Sequence, residues 1–459
     1  MVEIALLLTL ALFVILILLE VPIALALTIS GAIGIAMIEG LDVMISVVSS
    51  IPYTSVAGYS LFAIPMFILL GSFITHAEIA DKIYRSAAMM TSRLPGGLAA
   101  ATAAATSIFS GISGSSAADV ATMGRISISE MRRYGYAPSY ASAVVAAAGA
   151  FAALVPPSIG LVLYGILAEE SIGAMLLAGI IPGAISGMIL ITYVIGRARR
   201  GDVTFGAVGP KIDRERYDRV DSAKSESSVN SVKRLNQVRI FVSGIAYASV
   251  LFAVVAGGIY SGIFTATEAG AVGAVASLFL GIIAVRFDIG RVRKIISLAL
   301  IEASRLTSMI FLLIVGGAVL RYLIVLTRLP GRIAEWVTAL AIPPSLVLVC
   351  FLLVLLPLGM MLDGLTILFL TVPIVAPIVQ ALGFDGVWFG VLIMKMIEIS
   401  LITPPVGINC FIVAGIAPDV KVEQVFRAVT PFVVLDLLAT ALFFVVPSLV
   451  MWLPRAAGF

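Results

Sequence analysis

The sequence predicts an all-α, polytopic membrane protein built as an inverted repeat, with two re-entrant helical hairpins and two helices broken at Pro-Pro pairs. Three observations lead there. Of the 459 residues, 61% are hydrophobic and only 12% charged, with a mean hydropathy of +1.15; a soluble domain carries about 45–50% apolar and about 25% charged residues. Runs such as "IALLLTLALFVILILL" and "VVLDLLATALFFVVPSLVMWL" approach or exceed the roughly 18–20 residues that cross a bilayer. The two halves of the chain also echo each other. Each sets an aspartate beside a glycine-containing break and follows it, at nearly the same spacing, with a proline pair: Asp119 then Pro156 and Pro157, Asp363 then Pro404 and Pro405.

In chain order, residues 1–75 read as N-terminal scaffold helices. No Lys or Arg precedes Lys82, so the first apolar run lacks the basic flank of a cleaved signal peptide and reads as a retained helix. Residues 76–196 form the first repeat, with a hairpin at 96–128 and a broken helix at 139–166. The stretch 197–239 holds eleven basic and six acidic residues; it cannot build a core and reads as a linker, with a regulatory or partner-binding tail as the alternative. The positive-inside tendency places it in the cytoplasm. The basic clusters at 125–136 and 286–294 fall on the same side, and the acid-only loops near Glu39 and Asp42 and at Glu169 and Glu170 face outward. Arg321, Arg328 and Arg332 run against this count, on the outer side. Residues 240–325 are further scaffold helices. The second repeat is 326–459, with a hairpin at 345–381 and a broken helix at 387–414.

The hairpins rest on backbone chemistry. "GGLAAATAAATSIFS" and "AADVATMGRISI" each look too short to span, and Gly111, Ser113, Gly114, Ser115 and Ser116 between them favour a loop. Such a loop is tolerated at membrane depth only where protein buries it or a water-filled cavity faces it. Ser116 and Asp119 form an S-x-x-D pattern that can start the returning helix. Two roles fit Asp119: holding that cap, or binding a cation directly or through a neighbour. A half-helix N-terminus suits an anionic group, and carbonyls freed by the break suit a hard cation such as sodium. In the second half "LPLGMMLDGL" places Gly359, Met360, Asp363 and Gly364 at the equivalent tip. An aspartate in the membrane costs roughly 2.5–3.5 kcal/mol, so Asp363 needs a partner, an aqueous cavity or a capping role.

Two successive prolines remove donors and push the preceding residue out of the α region. "VPPS" and "TPPVGIN" should therefore unwind the helix and free the carbonyls of Leu154, Val155, Leu401 and Ile402, with Ser158, Thr403 and Asn409 as nearby polar side chains. Two similar halves, each with a hairpin break and a Pro-Pro break, are the pattern of an inverted-repeat secondary transporter with its binding site at the breaks. Lys395 and Glu398, three apart on a helix, read as a pair; Glu268 reads as a membrane-edge or scaffold residue, and Asp436 has no evident partner. Cys350 and Cys410 lie in apolar segments, and the single histidine, His76, excludes a histidine-cluster metal site. There is no H-E-x-x-H motif and no partner for a catalytic serine, so an enzyme is not expected.

"FSGISGSSAADVATMG", "LVPPSIGLVLYGILAEESIGAMLLAGIIPG", "GGIYSGIFTATEAGAVGAV", "LGMMLDGLTILFLTVPIVAPI" and "ITPPVGINCFIVAGIA" together resemble, in order and over nearly the whole chain, the large membrane subunit of tripartite ATP-independent periplasmic (TRAP) transporters. The resemblance implies an elevator-type, sodium-coupled importer of organic acids in a bacterial or archaeal cytoplasmic membrane. It implies a small four-helix membrane subunit, as a separate chain, and a soluble periplasmic substrate-binding protein as partners. Carboxylate substrate and the lipid bilayer complete the expected set; nucleic acid is not among them, and no cofactor is expected beyond sodium as the coupling ion. Carried over by motif, one sodium site would use Ser113, Gly114, Ser115 and Ser116 facing Pro156, Pro157 and Ser158. The other would use Gly359, Met360 and Asp363 facing Thr403, Pro404 and Pro405. The linker is long for the family. A stand-alone dicarboxylate- or citrate-type carrier is the alternative within transport; an ion channel is a further one.

Overall fold

The computed structural model describes residues 2–91, 94–113, 116–152, 154–156, 158–200, 243–339 and 343–459. Every regular element among them is helical. The N-terminal part comprises α1 (Val2–Leu18), α2 (Ile23–Glu39), α3 (Leu41–Val56), a tight turn at Tyr59–Phe62 leading into α4 (Ala63–His76), and α5 (Ile79–Thr91). Then come α6 (Gly97–Ser113), α7 (Ser116–Arg133), α8 (Pro138–Ala152), α9 (Ile159–Ala168) and α10 (Ile172–Arg199). Beyond the linker lie α11 (Ser243–Tyr260), α12 (Ala266–Ala284), α13 (Ile289–Leu326) and α14 (Leu329–Ala339). The last group is α15 (Pro344–Met361), α16 (Gly364–Ala381), α17 (Gly386–Ser400), α18 (Ile408–Ile416), α19 (Val422–Val445) and α20 (Ser448–Ala456). Among the described residues, seven helices are long and apolar enough to cross a membrane, so the chain is a multi-pass membrane protein.

Local signals place the helix starts. Ser158 caps α9 by accepting from the Leu161 amide, and Ser171 caps α10 through Ala174. Asp288 and Asp385 do the same for α13 and α17. Glu268 is half of a capping box with Thr265 at the head of α12, which gives that carboxylate a structural task at the helix start.

The repeat is visible helix by helix. α6 to α10 run 17, 18, 15, 10 and 28 residues; α15 to α19 run 18, 18, 15, 9 and 24. Each series is two helices of similar length, a helix ending in a break, a short helix, and a long closing helix. The hairpin arms are longer than the sequence suggests: at 1.5 Å per residue they reach about 26–27 Å, because Gly111, Ile112 and Ser113 continue α6 instead of opening a loop. A glycine or serine costs at most about 1 kcal/mol in a helix relative to alanine.

The two copies exchange contacts reciprocally. α7 of the first packs on α18 of the second, and α16 of the second packs on α9 of the first. α8 meets α17, α18 and α19, and α17 meets α8, α9 and α10. At the centre α17 has all fifteen residues buried, and α8, rich in alanine, is nearly as enclosed. Small side chains permit this density: Gly390 of α17 lies against the Tyr164 ring of α9, whose hydroxyl donates to the Gly386 carbonyl at 2.8 Å. Around this unit α2, α4, α12 and α13 pack on one another, with α4 and α5 reaching α6.

Candidate functional site

Break 2 begins where α17 ends at Ser400 and lasts to Gly407, whose positive φ of 50° turns the chain into α18. The carbonyls expected to be free there are taken up locally. Leu401 accepts from the Asn409 amide at 3.0 Å, Ile402 accepts from Cys410 Sγ at 3.6 Å, and the Thr403 hydroxyl donates back to Ile399 at 2.6 Å. Crossing the break with its own backbone satisfies groups that hydrocarbon could not. Pro404 and Pro405 are exposed.

Hairpin 2 docks on this break. Gly359, near the end of α15, lies directly against the Ser400 side chain, and Gly364 at the head of α16 lies against Ile397 and Leu401. Met360 is half-buried. Asp363 is exposed and is the cap of α16: one carboxylate oxygen accepts from the Leu365 and Thr366 amides, each at 3.2 Å, and the other accepts from the Thr366 hydroxyl.

Hairpin 1 is built differently. Ser113 is the last residue of α6, and Ser116 is the first helical residue of α7 and not its cap; Gly114, Ser115 and Pro157 lie outside the described residues. Ser116 is buried and Asp119, one turn on, is fully buried. The Ser116 carbonyl and the Asn409 side-chain nitrogen both come within 4 Å of the point a Cβ on Gly149 would occupy. The first hairpin therefore meets the second half's broken helix across α8. Break 1 packs elsewhere as well: Leu154 and Val155 lie on Gly179 and Gly183 of α10, Pro156 is buried, and Ser158 caps α9.

The sequence reading missed the charged centre beside this point. Lys395 does not pair with Glu398: its ammonium is bonded to Asp436 of α19, both side chains being wholly buried. The same ammonium reaches Ser186 Oγ of α10 at 3.3 Å and stands 4.9 Å from the centroid of the Phe151 ring of α8. Three residues along α17, the Glu398 carboxylate turns to α7, beside the Ser116 hydroxyl and within electrostatic reach of Asp119. The available signal was arithmetic: one lysine, two acids and an unexplained Asp436 in apolar runs had to be paired across helices.

The donor set there suits a hard cation. Glu398 Oε2 and both side-chain atoms of Asn409 are buried without a hydrogen-bond partner, a costly state for polar groups. Of these atoms Glu398 Oε2 and Asn409 Oδ1, with the Ser116 carbonyl, are oxygen acceptors of the kind a sodium ion takes, whereas the Asn409 nitrogen can only donate. Among the described residues no cluster of three His, Cys, Asp or Glu side chains forms a transition-metal site.

Comparisons with known proteins agree with this architecture. The chain is 31% identical to the C4-dicarboxylate TRAP transporter large permease protein DctM of Pseudomonas aeruginosa, over 87% of each chain. It is 31% identical to the sialic acid TRAP transporter large permease protein SiaM of Vibrio cholerae serotype O1, over 86% of each. The crystal structure of the Alcanivorax borkumensis YdaH transporter shares the fold, with a TM-score of 0.59 at 14% identity, covering 91% of this chain and 90% of that one. Residues 10–449 match the family described as "Tripartite ATP-independent periplasmic transporter, DctM component". The chain belongs to that family, as a large permease subunit of a TRAP transporter.

Proposed function

We propose that this subunit is the sodium-coupled permease of a binding-protein-dependent importer of organic acids, moving substrate by an elevator-type exchange in the cytoplasmic membrane. Its partners in this reading are a small four-helix membrane subunit and a soluble periplasmic substrate-binding protein, with the 197–239 linker on the cytoplasmic side. The observation that carries the proposal is the pair of partnerless oxygens, on Glu398 and Asn409, buried where hairpin 1 meets the second half's broken helix. A cation there would order α7 against α18, and the helix N-terminus beside it favours an anionic group. At the second tip Gly359, Met360, Asp363 and Gly364 with Thr403, Pro404 and Pro405 take the corresponding part. Carboxylate-bearing substrates fit this arrangement, and the relatives named for C4-dicarboxylates and sialic acid support that class.

Reconstitution into liposomes with the small subunit and binding protein tests the proposal, measuring uptake of labelled C4-dicarboxylates and sialic acid. Uptake that needs both an inward sodium gradient and the binding protein is the expected result. Equal uptake without the binding protein would point instead to a stand-alone carrier, and uptake indifferent to sodium would remove the coupling.

A further inference from the structure

The Lys395–Asp436 pair stands one helical turn from Glu398, next to the proposed cation site. Around Glu398 the charged groups are Asp119 of α7, Lys395 of its own helix and Asp436 of α19. Of the other helices packed on α17, α8, α9, α15 and α16 carry no charged side chain at all. The charges of α10 are Arg197 and Arg199 in its last turn, and that of α20 is Arg455. The buried centre thus holds three carboxylates and one ammonium, and the ammonium is committed to Asp436. Lys395 and Glu398 are one helical turn apart, close enough to interact, in surroundings where charge is poorly screened.

We infer that Asp436 engages Lys395 so that the ammonium does not repel a cation bound beside Glu398, one helical turn away. Lys395 is then a positioning residue, acting on the ion through space without touching it, and Asp436 is the counter-charge that silences its repulsion. Ser186 of α10 and the Phe151 ring of α8 hold the ammonium beside Asp436. This inference rests on the sodium reading above. It adds an element of its own: sodium affinity set by a pair that makes no contact with sodium.

The pair makes opposite predictions for its two members, which a purely structural role does not. The purified full chain is heated at increasing sodium chloride, with choline chloride holding ionic strength, and the half-saturating sodium is read from the rise in unfolding temperature. Asp436→Asn leaves Lys395 uncompensated and should raise half-saturation by roughly tenfold. Lys395→Met leaves Asp436 uncompensated and should lower it. Lys395→Met combined with Asp436→Leu should return it to near the native value. Breaking one side of a buried pair is destabilising; if Asp436→Asn does not fold, tighter sodium binding in Lys395→Met than in the double variant supports the inference, and equal or weaker binding overturns it. Shifts of both single variants in the same direction, or no shift in either, overturn the inference alone. A native protein with no sodium response overturns the sodium reading and this inference with it.

Discussion

Gly359 of hairpin 2 packs directly against the side chain of Ser400, the last residue of α17. A Cβ on residue 359 would collide with the Ser400 hydroxyl and its Cβ, and would come 3.0 Å from Ile367 Cδ1. The hairpin can sit on the break only because one of the two residues has no side chain. Gly359→Ala should therefore destabilise the protein by about 1–3 kcal/mol, the usual range for overpacking. Gly359→Ala with Ser400→Gly moves the missing side chain to the opposite partner and should recover most of the loss. Thermal unfolding of the three proteins measures this; an unrescued double variant would mean that the contact is not what limits Gly359.

Asn409 separates stability from function. Its side-chain oxygen and nitrogen are buried without partners, and an unsatisfied buried polar group costs about 1–3 kcal/mol. Asn409→Leu, of similar volume, should therefore unfold no more easily than the native protein in the absence of sodium, and should lose the stabilisation that sodium brings. A residue with a purely structural role would behave the other way, losing baseline stability and keeping the sodium response.

Asp363 can be tested as a cap and as a charge in turn. Its carboxylate accepts from two backbone amides at the head of α16, so Asp363→Ala should cost about 0.5–2 kcal/mol, as losses of a cap do. Asparagine caps about as well as aspartate, so Asp363→Asn should keep the unfolding temperature. If Asp363 contributes charge to ion binding at the second tip, Asp363→Asn should still weaken the sodium response several-fold. An unchanged response in that variant confines Asp363 to capping.

What could be read in advance was whatever the backbone records locally. Glycine and serine clusters, proline pairs and long apolar runs are written in neighbouring positions, so the helix breaks and the apolar spans were legible. The helix α6 was underestimated because Gly111 and Ser113 look like loop residues, yet both are helical. The charged centre was not legible, because Lys395 and Asp436 are 41 positions apart and only the packing of α17 on α19 joins them. The fate of the break 2 carbonyls was hidden for a related reason: Asn409 reaches back over the break to Leu401, a path that proline chemistry alone does not specify.

Arg321 is one of the three arginines that run against the positive-inside count, and its partner leads to a test of motion. It stands near the end of α13 and its guanidinium lies 3.0 Å from Glu169, in the turn between α9 and α10; a basic residue on the acidic side is thus neutralised by a neighbour. Glu169 is largely exposed and Arg321 partly so, and surface pairs contribute about 0–1 kcal/mol, so this contact is weak enough to break during a transport cycle. It also joins the surrounding helices to the first repeat, so an elevator movement of the repeats past α13 has to part it. With Cys350 and Cys410 replaced by serine, Arg321→Cys and Glu169→Cys together place two thiols across that boundary. Joining them with a short bifunctional methanethiosulfonate should stop uptake in the reconstituted system, and reductant should restore it, with neither reagent affecting either single-cysteine protein. Full uptake in the cross-linked protein would mean that α13 and the first repeat move as one body, leaving any elevator boundary elsewhere.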